Sequence, residues 1–140
     1  MTPELKKDNK IDFNTIKEMS GNSSYAKLLG FKIEEVTEGR AKISMKLTEE
    51  LMNPSNSPHG GAILSLADHT CGTAAMTMGY CVGSQSSYNF ISSANIGEEL
   101  IAESWVIHNG RRTRILEVEV KREDGKIVAK GIVTATIIES

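Results

Sequence analysis

The run from Asn53 to Gly79, NPSNSPHGGAILSLADHTCGTAAMTMG, constrains this chain more than any other stretch. Pro54 and Pro58 enclose Ser55, Asn56 and Ser57, residues that favour turns, so no helix can start before about His59. From Gly61 to Met78 nearly every residue is apolar or small. A helix apolar on almost all sides belongs in a core, and the Ala, Gly and Ser residues of this one let a sheet approach its backbone closely. Asp68 breaks the pattern. Burying a carboxylate is costly unless it is paired, so either a group outside this helix serves Asp68, or Asp68 and His69 share a narrow wet edge.

Gly60 and Gly61 open the helix, where amide groups have no intrahelical acceptor and sit at the positive end of the dipole. Such an end suits a carbonyl oxygen that turns negative during acyl transfer; a glycine pair can also be no more than a tight turn. Asp68 lies eight residues beyond Gly60, which places it roughly 12 Å further along the axis. One reacting carbon cannot touch both. If Gly60 holds the oxygen and Asp68 works on the same centre, the two come from different copies of the chain, because the sequence contains no internal repeat. The expectation is a two-fold dimer with its helices side by side.

Length and composition exclude several classes. At 140 residues the chain fits one domain, 1–140, with 1–28 as a partly flexible N-terminal helical segment. Net charge is −2 and no basic run exceeds Arg111-Arg112, so no nucleic-acid footprint is present. The apolar stretches are too interrupted to span a membrane, and MTPELKKDNK lacks the apolar centre of a signal peptide; the expected location is the cytoplasm, with no membrane partner. Cys71 and Cys81 have neither CxxC spacing nor a matching His, so no metal is expected. Cys71 reads as a small buried apolar residue. A Cys71–His69 nucleophile fails, since residues two apart on a helix do not face each other.

Taken in order, Asp12 can cap a short helix carrying Phe13, Ile16 and Met19, and Gly30 ends a second turn begun at Ser23 or Ser24. This segment lies over an edge or end of a sheet, or helps cover a substrate; residues 1–12 are expected to fray. From Phe31 the period becomes two, through Ile33, a turn at Glu38-Gly39, then Ala41, Ile43, Met45 and Leu47. Further strands are expected at 84–91, 100–107, 113–121 and 127–138, with Asn109-Gly110 and Asp124-Gly125 as hairpin turns of positive φ. The 84–91 strand has a polar face through Gln85, Ser87 and Asn89, which marks either a central strand beside water or ligand, or a solvent-facing side. The sum is an α+β fold, an antiparallel sheet of five to six strands curved around one long helix. Its outer face and edges call for a dimer or tetramer.

Asn53, His59-Gly60-Gly61 and Asp68, followed by NIGEEL and NGRRT, resemble the hotdog-fold acyl-CoA thioesterases of the phenylacetate-pathway (PaaI-type) group, within the 4-hydroxybenzoyl-CoA thioesterase superfamily. The resemblance runs from about Leu29 to Ile138. It implies a hotdog fold and hydrolysis of an acyl-CoA, with no cofactor beyond the coenzyme A of the substrate. By the same resemblance the Gly60 amide donates to the thioester oxygen, Asn53 helps place water, and Asp68 is base or nucleophile. A strand serine that holds water falls on Ser84, Ser86 or Ser87. His59 either fixes the loop or touches the thioester, Gly61 adjoins the substrate, and Arg111 and Arg112 either meet phosphates or are solvated surface. Met45, Leu51, Met52, Met76 and Met78 are candidates for an acyl pocket, and the acyl group itself is not readable. Two further readings remain: a hotdog hydratase or dehydratase that pairs His59 with a carboxylate, and a non-catalytic acyl-CoA binding module.

Overall fold

The computed structural model describes residues 12–138, and the fraying expected of residues 1–11 falls outside them. Asp12 caps α1 (Phe13–Asn22) by accepting from the Asn14 N–H at 2.9 Å, and Ser23 caps α2 (Ser24–Leu29) through the Ala26 N–H. These caps satisfy donors that have no partner in a first turn. The chain continues through β1 (Phe31–Thr37), β2 (Arg40–Lys46), a 3-10 turn at Glu49–Leu51, α3 (Gly60–Met76), β3 (Cys81–Phe90), β4 (Glu99–Asn109), β5 (Thr113–Arg122) and β6 (Ile127–Ile137). The strands form one six-stranded antiparallel sheet in the order β1-β2-β4-β5-β6-β3.

Alternation decides which face is covered. On β5, Arg114, Leu116, Val118 and Val120 are buried. On the same side α3 buries Ile63, Leu66, Ala67, Cys71 and Ala74, which share a core with Ile43, Met45, Leu100 and Val133. Each fully buried Leu or Ile contributes about 1.5–3 kcal/mol. α1 packs on β1 at one sheet edge and also against α3.

Arg114 is the residue that fixes the far end of α3. Its side chain is 3% exposed, yet every arm of the guanidinium is used. Nη1 donates to the carbonyls of Ala75 and Gly79, Nη2 to Met78, all at 3.0 Å, and Nε to Asn109 Oδ1 at 2.8 Å. A cation at a helix C-terminus satisfies carbonyls that the helix leaves open and opposes the negative end of its dipole. A buried carbonyl left without a donor costs about 1–3 kcal/mol. The pattern of β5 places Arg114 inward, and only the helix end explains why a charge belongs there.

Three expectations are corrected. Asn109-Gly110 is not a two-residue turn of positive φ: neither residue has positive φ, and the hairpin closes through Gly110 N–H to the Thr113 carbonyl at 2.9 Å. In this turn the Asn109 side chain accepts from Arg114 Nε, and a Cβ at 110 would lie 2.7 Å from Nε2 of the exposed His108 and 3.3 Å from the Thr113 carbonyl. The polar strand, which starts at Cys81 rather than Ser84, is an edge strand paired only with β6, not a central one. Its outer edge is left without a strand partner within the chain. Finally, the five candidate pocket residues do not line one cavity: Met52 packs on the same core as Met45 and Leu51, while Met76 lines a cavity between α1 and α3. Met45 and Leu51 are closed into the core, and Met78 lies by Gly39 at the β1–β2 turn.

Candidate active site

The loop before α3 is closed by its own side chains. Asn53 Oδ1 accepts from the N–H groups of Ser55 and Ser57 at 2.9 and 3.0 Å, and the Asn53 N–H donates to the Ser57 carbonyl at 2.7 Å. Asn56 takes the positive φ this turn needs, and the His59 N–H returns to the Leu51 carbonyl. Asn53 thus holds the loop with its carbonyl oxygen, and its Nδ2 meets no acceptor among the described residues.

His59 is the N-cap of α3, and its Nδ1 accepts from the Gly61 N–H at 2.8 Å. That bond uses the one donor Gly61 has. It also brings the ring so near that a Cβ at Gly61 would lie 3.0 Å from Nδ1. The Gly60 N–H, in contrast, meets no acceptor among the described residues. Beside it stands the Phe90 ring, 3.6 Å from where a Gly60 Cβ would be. The result is one free amide at a helix N-terminus with an aromatic wall, suited to an oxygen that gains negative charge.

Asp68 is not buried within the chain. Gly61, Leu64, Asp68 and Gly72 all lie exposed along one stripe of α3, so the wet-edge reading holds for Asp68 in the single chain. His69 parts company with it and turns inward. Its Nε2 lies 3.0 Å from the Ser20 carbonyl and 2.9 Å from Ser20 Oγ. A carbonyl can only accept, so Nε2 carries the proton. Ser20 Oγ can then donate to Thr73 Oγ1 at 2.8 Å, and Thr73 Oγ1 donates to the His69 carbonyl. This chain of bonds ties α1 to α3, and the Phe31 ring packs on the imidazole at 5.1 Å.

Burial pushes His69 below its ordinary 6.5, against the raising effects of the Ser20 carbonyl and of Asp68. A histidine that resists protonation in the fold contributes stability that is whole above 6.5 and is lost as pH falls from there toward the lowered value. Melting temperature is therefore expected to decline between pH 7 and pH 5 more steeply in the wild type than in His69→Gln. Parallel pH profiles for the two would contradict this.

The other sequence-derived candidates are spread out. Ser84 sits at a bulge and donates to the Thr134 carbonyl at 3.1 Å. Ser87 pairs with exposed Ile132 and so faces away from α3, whereas Ser86 pairs with buried Val133 and shares the inner side. The β3 positions that line a small cavity with Asp68 are Cys81 and Gly83, not a serine. Arg111 and Arg112 are exposed in the β4–β5 turn, at the C-terminal end of α3 and thus opposite to Gly60 of the same chain. Burial raises the Cys71 thiol to about 12, which makes it inert.

Sequence reasoning passed over Tyr88 and Gly72. The Tyr88 ring lies across β6 where a Cβ on Gly131 would overlap it, and its hydroxyl is buried with no hydrogen-bond partner in standard geometry among the described residues. Gly72, one helical turn past Asp68, lines two cavities that also reach Asp68, one of about 290 Å³ toward α1 and one of about 70 Å³ toward β3 and β6. No periodicity marks either residue, since both depend on which face α3 turns to its neighbours. Among the described residues there is no cluster that could hold a metal ion, and no helix is long and apolar enough to cross a membrane.

Comparison with known proteins places this geometry in context. The family model described as "Thioesterase superfamily" matches residues 56–129, which span the loop, α3 and most of the sheet. The acyl-coenzyme A thioesterase PaaI of Escherichia coli is 33% identical over 112 residues, 79% of this chain and 80% of that protein. The structure of E. coli PaaI, from the phenylacetic acid degradation operon, superposes with a TM-score of 0.84 at 31% identity, covering 88% of this chain and 90% of that one. A Streptococcus mutans protein solved with acetyl-CoA bound gives a TM-score of 0.76 at 26% identity, over 79% of this chain and 90% of its own. The shared architecture is the hotdog fold.

Proposed function

The chain belongs to the thioesterase superfamily, and from that premise we propose that it hydrolyses an acyl-CoA thioester to a free acid and coenzyme A. The observation that carries the reading is the pair of unused groups on α3. One is the free N–H of Gly60; the other is the exposed carboxylate of Asp68, roughly 12 Å further on.

Two copies of α3 laid antiparallel along the open stripe bring the Asp68 of one beside the Gly60 of the other. The unpaired outer edge of β3, where Val82 and Phe90 are about half exposed, offers a second region for the same two-fold pairing. In such a dimer the thioester oxygen accepts from Gly60. Asp68 of the partner subunit then takes a proton from water as the water oxygen bonds to the carbonyl carbon. Collapse of the tetrahedral intermediate breaks the C–S bond, and the proton passes to the departing thiolate. If Asp68 attacks directly instead, an anhydride forms and water opens it, with the same products.

Asn53 donates from Nδ2 to the water, and Ser86 is the strand serine on the inner face. Arg111 and Arg112 stand at the end of the sheet that two-fold pairing turns toward the partner's Gly60, within reach of coenzyme A phosphates. No carboxylate meets His59 among the described residues and its Nδ1 accepts from Gly61, which favours the hydrolase over a hydratase that pairs this histidine with an acid. The named activity of the E. coli relative and the acetyl-CoA in the S. mutans structure support the same substrate class. The test is continuous detection of free thiol over a panel of acyl-CoA esters. Steady release on at least one ester is expected; binding without release would leave only a carrier or sensor.

A further inference from the structure

We propose, building on the thioesterase reading, that the acyl group of the substrate lodges between α1 and α3, and that Gly72 and Met19 set the length it can have. The cavity there, about 290 Å³, is walled by Ile16 and Met19 of α1 and by Gly72 and Met76 of α3, with Asp68 at its rim. A dry cavity of roughly 150 Å³ holds a benzene-sized molecule. This one therefore admits a medium-length or aryl acyl group. The other cavity that reaches Asp68 is about 70 Å³, too small for more than an acetyl-sized group.

Two features make the larger cavity a fitting acyl site. A Cβ added at Gly72 would meet no atom within 4 Å, so α3 has an opening there, one turn beyond the carboxylate. The polar side chains on the wall, Ser20, His69 and Thr73, bond to one another. An apolar guest therefore leaves no donor stranded against it. Since α1 supplies one wall, the N-terminal segment selects the acyl group rather than merely covering a sheet edge.

The experiment compares kcat/KM for octanoyl-CoA and phenylacetyl-CoA with that for acetyl-CoA, using the full chain. Gly72→Leu fills the opening from α3, and Met19→Trp fills it from α1, off the face that a second copy of α3 would cover. Each should lower the long-to-short ratio by about tenfold or more, the usual scale for methylene-sized changes in an apolar pocket. Met19→Ala should raise the ratio. Ratios within about twofold of wild type for both Met19 variants would overturn the inference while leaving the thioesterase reading intact. A wild type that releases no thiol from any ester would instead remove the reading on which it rests.

Discussion

An Asp68→Asn chain is expected to fold and pair as the wild type does while its kcat drops by about 10²–10⁴-fold, the usual contribution of a positioned acid or base. The substitution keeps size and shape but can neither take a proton nor attack a carbonyl. Little stability should be lost, because Asp68 is exposed and no ion pair or hydrogen bond of its side chain is seen among the described residues. Its field raises His69 toward the charged form. Removing it should therefore let the imidazole fall slightly further below its ordinary value, a change that the pH dependence of melting can follow. Thiol release, melting temperature and sedimentation together check the prediction, and a variant that keeps more than about a tenth of wild-type kcat would exclude Asp68 from the chemistry.

The second large effect is expected from Gly60→Pro, which removes the amide hydrogen and sets the ring Cδ where an oxygen accepting from it would lie. Proline is favoured at the first position of a helix, where its missing N–H has no acceptor to lose. It also restricts the residue before it to extended backbone, and His59 already has φ −66° and ψ 132°. A Cβ at position 60 lies at ordinary contact distance, 3.6 Å, from the Phe90 ring. Melting should therefore be close to wild type, while kcat falls by roughly 10²–10³-fold through loss of the oxyanion donor. Gly60→Ala, which keeps the N–H, is the control and should retain most activity.

Co-expression of the Asp68→Asn and Gly60→Pro chains sharpens the point. A mixed dimer with shared sites has one site with both groups intact and one with neither. Statistical pairing should therefore restore about a quarter of wild-type turnover from two nearly inactive chains. A site built within a single chain would regain none.

The order of structure in this chain was largely legible from its residues. Asp12 and Ser23 act as caps because their side chains reach the first free amides of α1 and α2, a local event that needs no tertiary partner. The inward set on β5 follows from strict alternation, and the helix start at Gly60 follows from Pro58 and the His59 cap. The positions 53, 59, 60 and 68, proposed here as a site, stood out for the same reason. They are spaced along one loop and one helix, so chain geometry alone fixes their separations.

What the sequence could not fix was direction in space. Asn109-Gly110 carries a strong local turn signal, yet the hairpin closes from Gly110 to Thr113, beside an Arg114 that also bonds a helix end some thirty-five residues away in the chain. Gln85, Ser87 and Asn89 read equally as ligand-facing or solvent-facing until the register with β6 sets Ser87 opposite exposed Ile132 and Asn89 opposite exposed Lys130. Asp68 and His69 are neighbours with one local signal between them, yet α3 turns the first outward and the second onto Ser20. Local propensity and spacing act along the chain and are written in it. Which face of an element meets its neighbours depends on packing between distant segments, and that was decided only when the sheet closed over α3.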